Sequence, residues 1–388
     1  MFVAALLVAG VFAFIWLKDS RERANETATA ASSDPSVEAP VNLRPKTIAI
    51  LPFDNRSNLE EDAFFVDGFH DDLISQVSQI RDLSTISRTS VLTYRDSNKS
   101  MRTIGNELGS GIIIEGGVQR SGEQVRINVQ MIDAAKDEHL WAETYTRKLS
   151  PENLFTIQSE IAFAVASNLL AVLSNQEKQD IAKVRTQNIE ALEAFFRGRV
   201  SAGLETTAGF IAATEHFQEA VNLDPDFAEA HAQLALALLY KASFSTAPYV
   251  MPGNEDAETA ESAIQRALDL DPELSEAYEA LAALEHNRGN FPATEEAYQQ
   301  ALELKPGNAS ALRMFGYFKA KRLWQRQQAL TLLQAAKRLD PQNHRTLTNL
   351  GDVLKNLERF EEAHASLRAA IDIEPDHARA YFELGWLY

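Results

Sequence analysis

The chain has 388 residues, room for two or three domains, and 45% of them are hydrophobic, enough for well-formed cores. Lys and Arg number 37 against 55 Asp and Glu, a formal charge of −18, which argues against nucleic acid because phosphate binding needs clustered cations. The chain has no cysteine, so disulfides, thiolate catalysis and cysteine-based zinc sites are excluded.

Residues 1–17 carry no charged side chain. As a helix they reach about 25 Å, the short end of a membrane span. Trp16 falls at the interface, and Lys18, Arg21 and Arg23 stop the apolar run. A cleaved signal is the rival reading. It lacks a basic leading segment, and its small-residue site Ala28-Thr29-Ala30 lies beyond six charged residues. An uncleaved single-pass anchor is therefore expected. The bias of cationic residues toward the cytoplasm would place Lys18, Arg21 and Arg23 inside. Residues 18–45 are rich in Ala, Ser, Thr, Pro and Glu and read as a disordered linker.

Residues 46–175 read as a compact α/β domain. The near-continuous apolar run at 46–53 predicts a buried strand. Residues 61–80 predict a helix, with Phe65, Phe69, Leu73, Ile74 and Val77 on one stripe. A strand is expected over 83–94 and a short helix over 101–108, stopped by Gly109. A strand then starts at Ile112, and Ser121-Gly122 makes a tight turn into the alternating strand 124–132. A further strand over 139–148 leads to Ser150-Pro151, which opens a long helix. The order is β-α-β-α-β-β-β-α, helices on a mixed sheet.

The ordered motifs Leu51-Pro52-Phe53-Asp54-Asn55, Phe65-Val66-Asp67-Gly68, Ile86-Ser87-Arg88-Thr89-Ser90, Gly105-Asn106-Glu107-Leu108-Gly109 and His139-Leu140-Trp141-Ala142-Glu143-Thr144-Tyr145 resemble the TolB-amino-terminal-like domain. The resemblance covers about residues 46–175 and implies a sensory or interaction module, not an activity. In bacteria such a domain often follows a cytoplasmic winged helix (CadC-like) or a class III adenylate cyclase domain and one membrane span, and leads into tetratricopeptide repeats. That likeness puts the soluble part in the periplasm, attached to the inner membrane, against the charge bias. Nothing precedes the apolar run here and the chain stops at Tyr388 within a repeat, so a fragment or truncated member lacking its output domain is expected.

The second half, residues 188–388, is punctuated by Pro225, Pro272, Pro306, Pro341 and Pro375, at intervals of 47, 34, 35 and 34 residues. Each proline closes a short stamp, such as Leu223-Asp224-Pro225, Leu270-Asp271-Pro272 and Leu339-Asp340-Pro341, with variants Leu304-Lys305-Pro306 and Ile373-Glu374-Pro375. A period of about 34 residues marks a helix-turn-helix solenoid. Ala213, Ala260, Ala329 and Ala363 recur where two helices of one unit touch, with Thr294 breaking the set. Ala220, Ala267, Ala301, Ala336 and Ala370 stand five residues before each proline, and Gly316, Gly351 and Gly385 mark close contacts in first helices. These positions resemble the tetratricopeptide repeat. Five units are expected at 188–227, 228–274, 275–308, 309–343 and 344–377, with a sixth first helix from 378 and a loop insertion at 241–254.

First helices line the concave wall of such a solenoid. The expected lining includes Arg313, Tyr317, Lys321, Arg345, Asn349, Asp352, Lys355 and Arg379 in the last units, and Glu276, Glu279, Asn287 and Glu383 besides. Its cations predict a groove for an acidic peptide or a carboxy terminus, against the plainer alternative of a solvated helix face with mixed charge. Asp67, His70, Asp71 and Asp72 share one helix. A metal is a minor possibility there, and a solvated face near the helix start is expected instead. Gly109-Ser110-Gly111 precedes a strand and reads as a turn, not a phosphate cradle. No nucleophile elbow, P-loop or HExxH signature occurs, and no metal or cofactor is implied. The sequence thus predicts a membrane-anchored, non-catalytic scaffold with a protein partner. The alternative is the sensory part of an adenylate cyclase or winged-helix regulator.

Overall fold

The computed structural model describes residues 44–57, 59, 62–244 and 255–387. The predicted anchor at 1–17, the linker up to residue 43 and most of the insertion, 245–254, lie outside the described residues. Among the described residues no helix is long and apolar enough to cross a membrane. Leu43–Tyr388 forms one compact unit.

Strand β1 (Arg44–Ile50) lies inside the sheet, parallel to β3 (Ser84–Thr85) on one side and to β4 (Ser110–Ser121) on the other. Its Ile48, Ala49 and Ile50 are fully buried, as expected for a strand flanked by parallel neighbours. Strands β5 (Gln124–Asp133) and β6 (Glu138–Lys148) extend the sheet antiparallel, in the order β3-β1-β4-β5-β6, and the two-residue β2 (Asp54–Asn55) pairs with β4. Gly122, at φ +56°, makes the two-residue turn that sets Ser121 opposite Gln124. Four helices accompany the sheet: α1 (Ala63–Val77), α2 (Arg88–Leu92), α3 (Met101–Leu108) and α4 (Pro151–Asn168). Ser150 Oγ accepts from the Asn153 amide ahead of Pro151, so the predicted start of α4 is found where its cap requires it.

The predicted strand over 83–94 is not formed. Only Ser84 and Thr85 pair with β1, and the Ile86 amide makes a last bond to Ile48. The Ser87 amide then donates to the Leu339 carbonyl at 2.7 Å, far along the chain, and the backbone turns into α2. A tertiary hydrogen bond takes the donor that a longer strand would need.

A short helix, α5 (Asn175–Ile181), opened by a Ser174–Glu177 capping box, leads to the repeats. These are the helix pairs α6 (Ile189–Ala202) and α7 (Thr207–Leu223), α8 (Ala228–Phe244) and α9 (Glu255–Leu270), α10 (Ser275–Asn287) and α11 (Phe291–Leu304), α12 (Ala309–Lys321) and α13 (Arg326–Leu339), and α14 (His344–Asn356) and α15 (Phe360–Ile373). Helix α16 (Ala378–Gly385) begins a sixth unit. The small residues of the proline frame, Ala213, Ala260, Ala329 and Ala363, are fully buried between paired helices, as is Thr294. A Cβ added at Gly316 would stand 2.8 Å from the Leu333 side chain, and one at Gly351 2.6 Å from that of Leu367, so both glycines mark close contacts, whereas one at Gly385 would meet nothing within 4 Å.

The α/β domain and the solenoid share a core. One continuous cluster runs from Phe69 and Leu73 of α1 through Phe195 and Phe196 of α6 to Leu284 of α10. Helix α1 is buried nearly all round because it lies between its own domain and α6. Gly68 makes this approach possible: a Cβ there would lie 2.2 Å from Phe196 Cγ, while Phe65 meets the same ring edge-on at 6.0 Å.

Gly68→Ala is therefore expected to cost about 1–3 kcal/mol through overpacking. Chemical denaturation of Gly68→Ala, Phe196→Ala and the double variant should show that the two changes together cost at least about 1 kcal/mol less than their sum, the signature of direct contact. Additive costs would mean that the two helices do not meet at this glycine.

Candidate functional site

Helix α1 carries Asp67, Gly68, His70, Asp71 and Asp72 in sequence, and the expectation of a solvated face is overturned. His70, Asp71 and Asp72 are buried. Asp71 accepts from Arg199 Nε of α6 at 2.8 Å and lies 3.9 Å from Arg88 Nε. Asp72 takes a bidentate hydrogen bond from Arg185, whose Nη1 stands 2.5 Å away. Burial raises the Asp71 carboxyl, but Arg199 and Arg88 outweigh it and hold the group below the ordinary carboxylate range. These acids are structural counter-ions at a domain junction. Among the described residues no group of three metal-ligating side chains is assembled.

The inner rim of the solenoid meets the same domain again. Ser90 Oγ donates to Asp340 Oδ1 at 2.6 Å, Lys305 Nζ donates to Ser75 Oγ at 3.1 Å, and Arg81 Nη2 donates to the Glu303 carbonyl at 3.3 Å. Between these contacts lies a cavity of about 580 Å³, walled by α1 and α2 on one side and by first helices of the repeats on the other. That volume is in the range of small-ligand sites.

Five of the eight groove residues singled out in the sequence line this cavity: Arg313, Tyr317, Arg345, Asn349 and Arg379. Arg379 donates to Asn349 Oδ1 at 2.9 Å and its guanidinium stands 5.3 Å from the centre of the Tyr317 ring. Lys321, Asp352 and Lys355 do not line it, although Asp352 stands 4.0 Å from Arg379. They line a separate pocket of about 370 Å³ beside Trp324 and Trp386. There Asp352 pairs with Lys321 at 2.6 Å and with Lys355 at 3.7 Å, and Lys355 also bonds Glu383. The expected basic stripe is thus broken by its own acid. Glu276 and Glu279 also line the main cavity.

Four charged contributors escaped the reading of the groove: Arg88, Arg199, Glu205 and Lys305. Glu205 lies in the turn between α6 and α7, and its carboxylate reaches Arg345 Nε at 2.7 Å and Arg313 Nη2 at 3.6 Å. Arg345 Nη2 also donates to the Glu205 carbonyl at 3.0 Å. Lys305 carried a signal, as the one basic residue in the Leu-Asp-Pro stamps. Nothing local marks Glu205, 140 residues from its partner.

Comparison with known proteins gives each part a likeness. Residues 44–163 match the profile of the second domain of HilA/YgeH-like transcriptional regulators, and residues 253–309 and 348–388 match a tetratricopeptide repeat profile. Over 226 residues, 58% of this chain, the sequence is 32% identical to a protein named putative adenylate cyclase 3 of Rhizobium meliloti (strain 1021). The chain spans 37% of that relative's length. Among solved structures, YrrB, a TPR protein with an unusual peptide-binding site, is 23% identical, matching 50% of this chain and 90% of its own at a TM-score of 0.32. A thermophilic TPR protein of Thermus thermophilus is 17% identical, matching 51% of this chain and 98% of its own at a TM-score of 0.40.

The junction makes stability depend on pH. Burial pushes the His70 imidazole down to about 4, and its Nε2–H donates to the Ile50 carbonyl at 2.8 Å as a neutral ring. Unfolded, the ring takes a proton below about pH 6.5, so stability falls as pH drops from about 6.5 to about 4, by about 3 kcal/mol from this group. Glu229 has the opposite sign. Burial pushes its carboxyl up to about 7, so its contribution is lost as pH rises from the unfolded value toward 7. Urea titrations at pH 7.5 and pH 5 should show that His70→Gln narrows the stability loss between the two. An unchanged loss would remove His70 as a cause.

Proposed function

We propose that this chain is a non-catalytic signalling module in which a tetratricopeptide solenoid clasps an α/β domain and offers its remaining concave surface to a protein partner. The observation that carries this reading is the docking of the α/β domain inside the repeats, through Asp71–Arg199, Ser90–Asp340 and Ser75–Lys305. Such an arrangement fits transmission between a domain and a bound partner, since one solenoid carries both. The partner surface is the open side of the last repeats, where Lys321 and Arg379 keep more than a third of their side chains exposed. Cations there select an acidic segment. The apolar run at residues 1–17 anchors the module in the inner membrane, with its soluble part in the periplasm.

A second reading is favoured by the likenesses to a putative adenylate cyclase and to a regulator's second domain. In it this chain is the sensory section of a longer protein whose TolB-like domain relays to a cyclase or a CadC-like winged helix. Both readings place the chemistry outside these residues.

Immobilised full chain is expected to capture a protein partner that Lys321→Glu together with Arg379→Glu no longer holds. Equal capture by both would sink the groove assignment. Purified chain supplied with ATP and Mg²⁺ should form no cyclic AMP, and its accumulation would end the non-catalytic reading. Protease added to intact spheroplasts should degrade the soluble part, and protection would reverse the proposed orientation.

A further inference from the structure

The cavity between the two domains has a charge balance unlike the rest of the chain. Six cations border it (Arg88, Arg199, Lys305, Arg313, Arg345 and Arg379) against four carboxylates (Asp71, Glu205, Glu276 and Glu279), in a protein of formal charge −18. The cations come from both walls, so this is no solvated face of a single helix. Arg345 and Arg379 each stand four residues after the proline of successive stamps, and Arg313 stands one turn further along its helix. The carboxylates are unevenly shared. Asp71 answers Arg88 and Arg199, and Glu276 answers Lys305 at 3.0 Å. Glu279 is spent on neutral donors, the Tyr240 hydroxyl, Asn308 and Ser310. Glu205 is left with two guanidinium groups. Arg345 shows the resulting surplus: burial lowers its pKa, and Arg313 and Arg379 add to that against Glu205. Arg88 Nε is buried without a hydrogen-bond partner.

Glu205 is held there at a local cost. Its φ of +48° lies in the left-handed region, which is unfavourable for a residue with a Cβ. The turn between α6 and α7 needs a left-handed residue, and the chain places a carboxylate on it that reaches the fourth and fifth repeats. A carboxylate supplied by the chain, on a strained turn, in a cavity of small-ligand size with cations to spare, has the character of an occupant that can be replaced.

We propose that this cavity binds a small anionic molecule bearing a carboxylate or a phosphate group, and that Glu205 is the internal counter-ion which that molecule displaces from Arg313 and Arg345. Binding exchanges one anion for another, so no bond is made or broken. It frees the first repeat's turn from the fourth and fifth repeats while bridging them to Arg88 of the α/β domain. The site requires no protein partner; it shares Arg379 with the groove assigned above and is told from it by Lys321, which lines only the neighbouring pocket.

The test uses the full chain, with inorganic phosphate and succinate as probes, sodium chloride at matched ionic strength as the control, and calorimetry together with thermal unfolding as readouts. One probe should bind saturably at one site and raise the Tm. Glu205→Gln, which removes the competing charge, should bind that probe about tenfold more tightly. Glu205→Gly, which also suits the left-handed turn, should do the same, so a folding defect of the first variant does not obscure the result. Arg313→Gln in the Glu205→Gly background should lose the binding while Lys321→Gln keeps it. Preference for phosphate over succinate, or the reverse, identifies the anion class. The proposal is overturned if neither probe binds saturably to Glu205→Gly, or if binding is equally tight with and without the Glu205 carboxylate.

Discussion

The arrangement of the whole molecule rests on two buried carboxylates of α1, Asp71 and Asp72, meeting two partly buried arginines, Arg199 and Arg185, of the first repeat and the segment before it. Ion pairs of this kind add little net stability, because desolvating both partners offsets most of their attraction. They are decisive in another way. Any orientation that separates them leaves a charge buried and unanswered, which costs several kcal/mol. The apolar contact of Gly68 with Phe196 supplies adhesion, and the ion pairs fix the angle at which α1 crosses α6. Arg185 also lies over the Phe155 ring at 4.6 Å, which ties α4 to the same point.

Once α1 is set against α6, the curvature of the repeats brings their inner turns back to the α/β domain. The stamps that close each repeat then serve twice. Asp224, Asp271 and Asp340 end their repeats, and each also takes a hydrogen bond from outside the solenoid: from Thr186 at 2.5 Å, Lys183 at 2.6 Å and Ser90 at 2.6 Å. Lys305, the basic variant, reverses the role and donates to Ser75. A pattern that reads as repeat punctuation is thus also the docking edge.

This double use explains what was legible in the sequence. The helix pairs follow from the proline period and the small residues, because each unit buries the same positions against its neighbour. The sheet follows from apolar alternation wherever pairing is local, as in β4 to β6. Residues 83–94 misled because their fate is decided by the Leu339 carbonyl, far along the chain, and not by their own pattern. The acids of α1 misled for the same reason. Charge on a helix is normally solvated, and their arginine partners lie 113 and 128 residues further on. The groove was half legible: the repeat frame gave Arg313, Arg345 and Arg379, but the wall opposite them belongs to another domain. Glu205 was illegible, since a left-handed turn with one acid has no distinguishing spacing.

The docking also changes how the solenoid must hold together. In an isolated array each repeat contacts only its neighbours, so stability is a sum of units and adjacent interfaces and an end frays without disturbing the rest. Here the α/β domain touches the first, third and fourth repeats through Arg199, Lys305 and Asp340, and Glu205 joins the first to the fifth through Arg345. These contacts span the array. They act as cross-braces that make the inner repeats one cooperative body with the sheet, in place of a chain of independent links. The fifth stamp differs, since the Glu374 side chain takes no such contact from the α/β domain among the described hydrogen bonds and ion pairs. Cooperativity is therefore expected to weaken along α15 and α16. A solenoid braced through its inner repeats can yield to a partner at its last helices without unseating the domain it clasps.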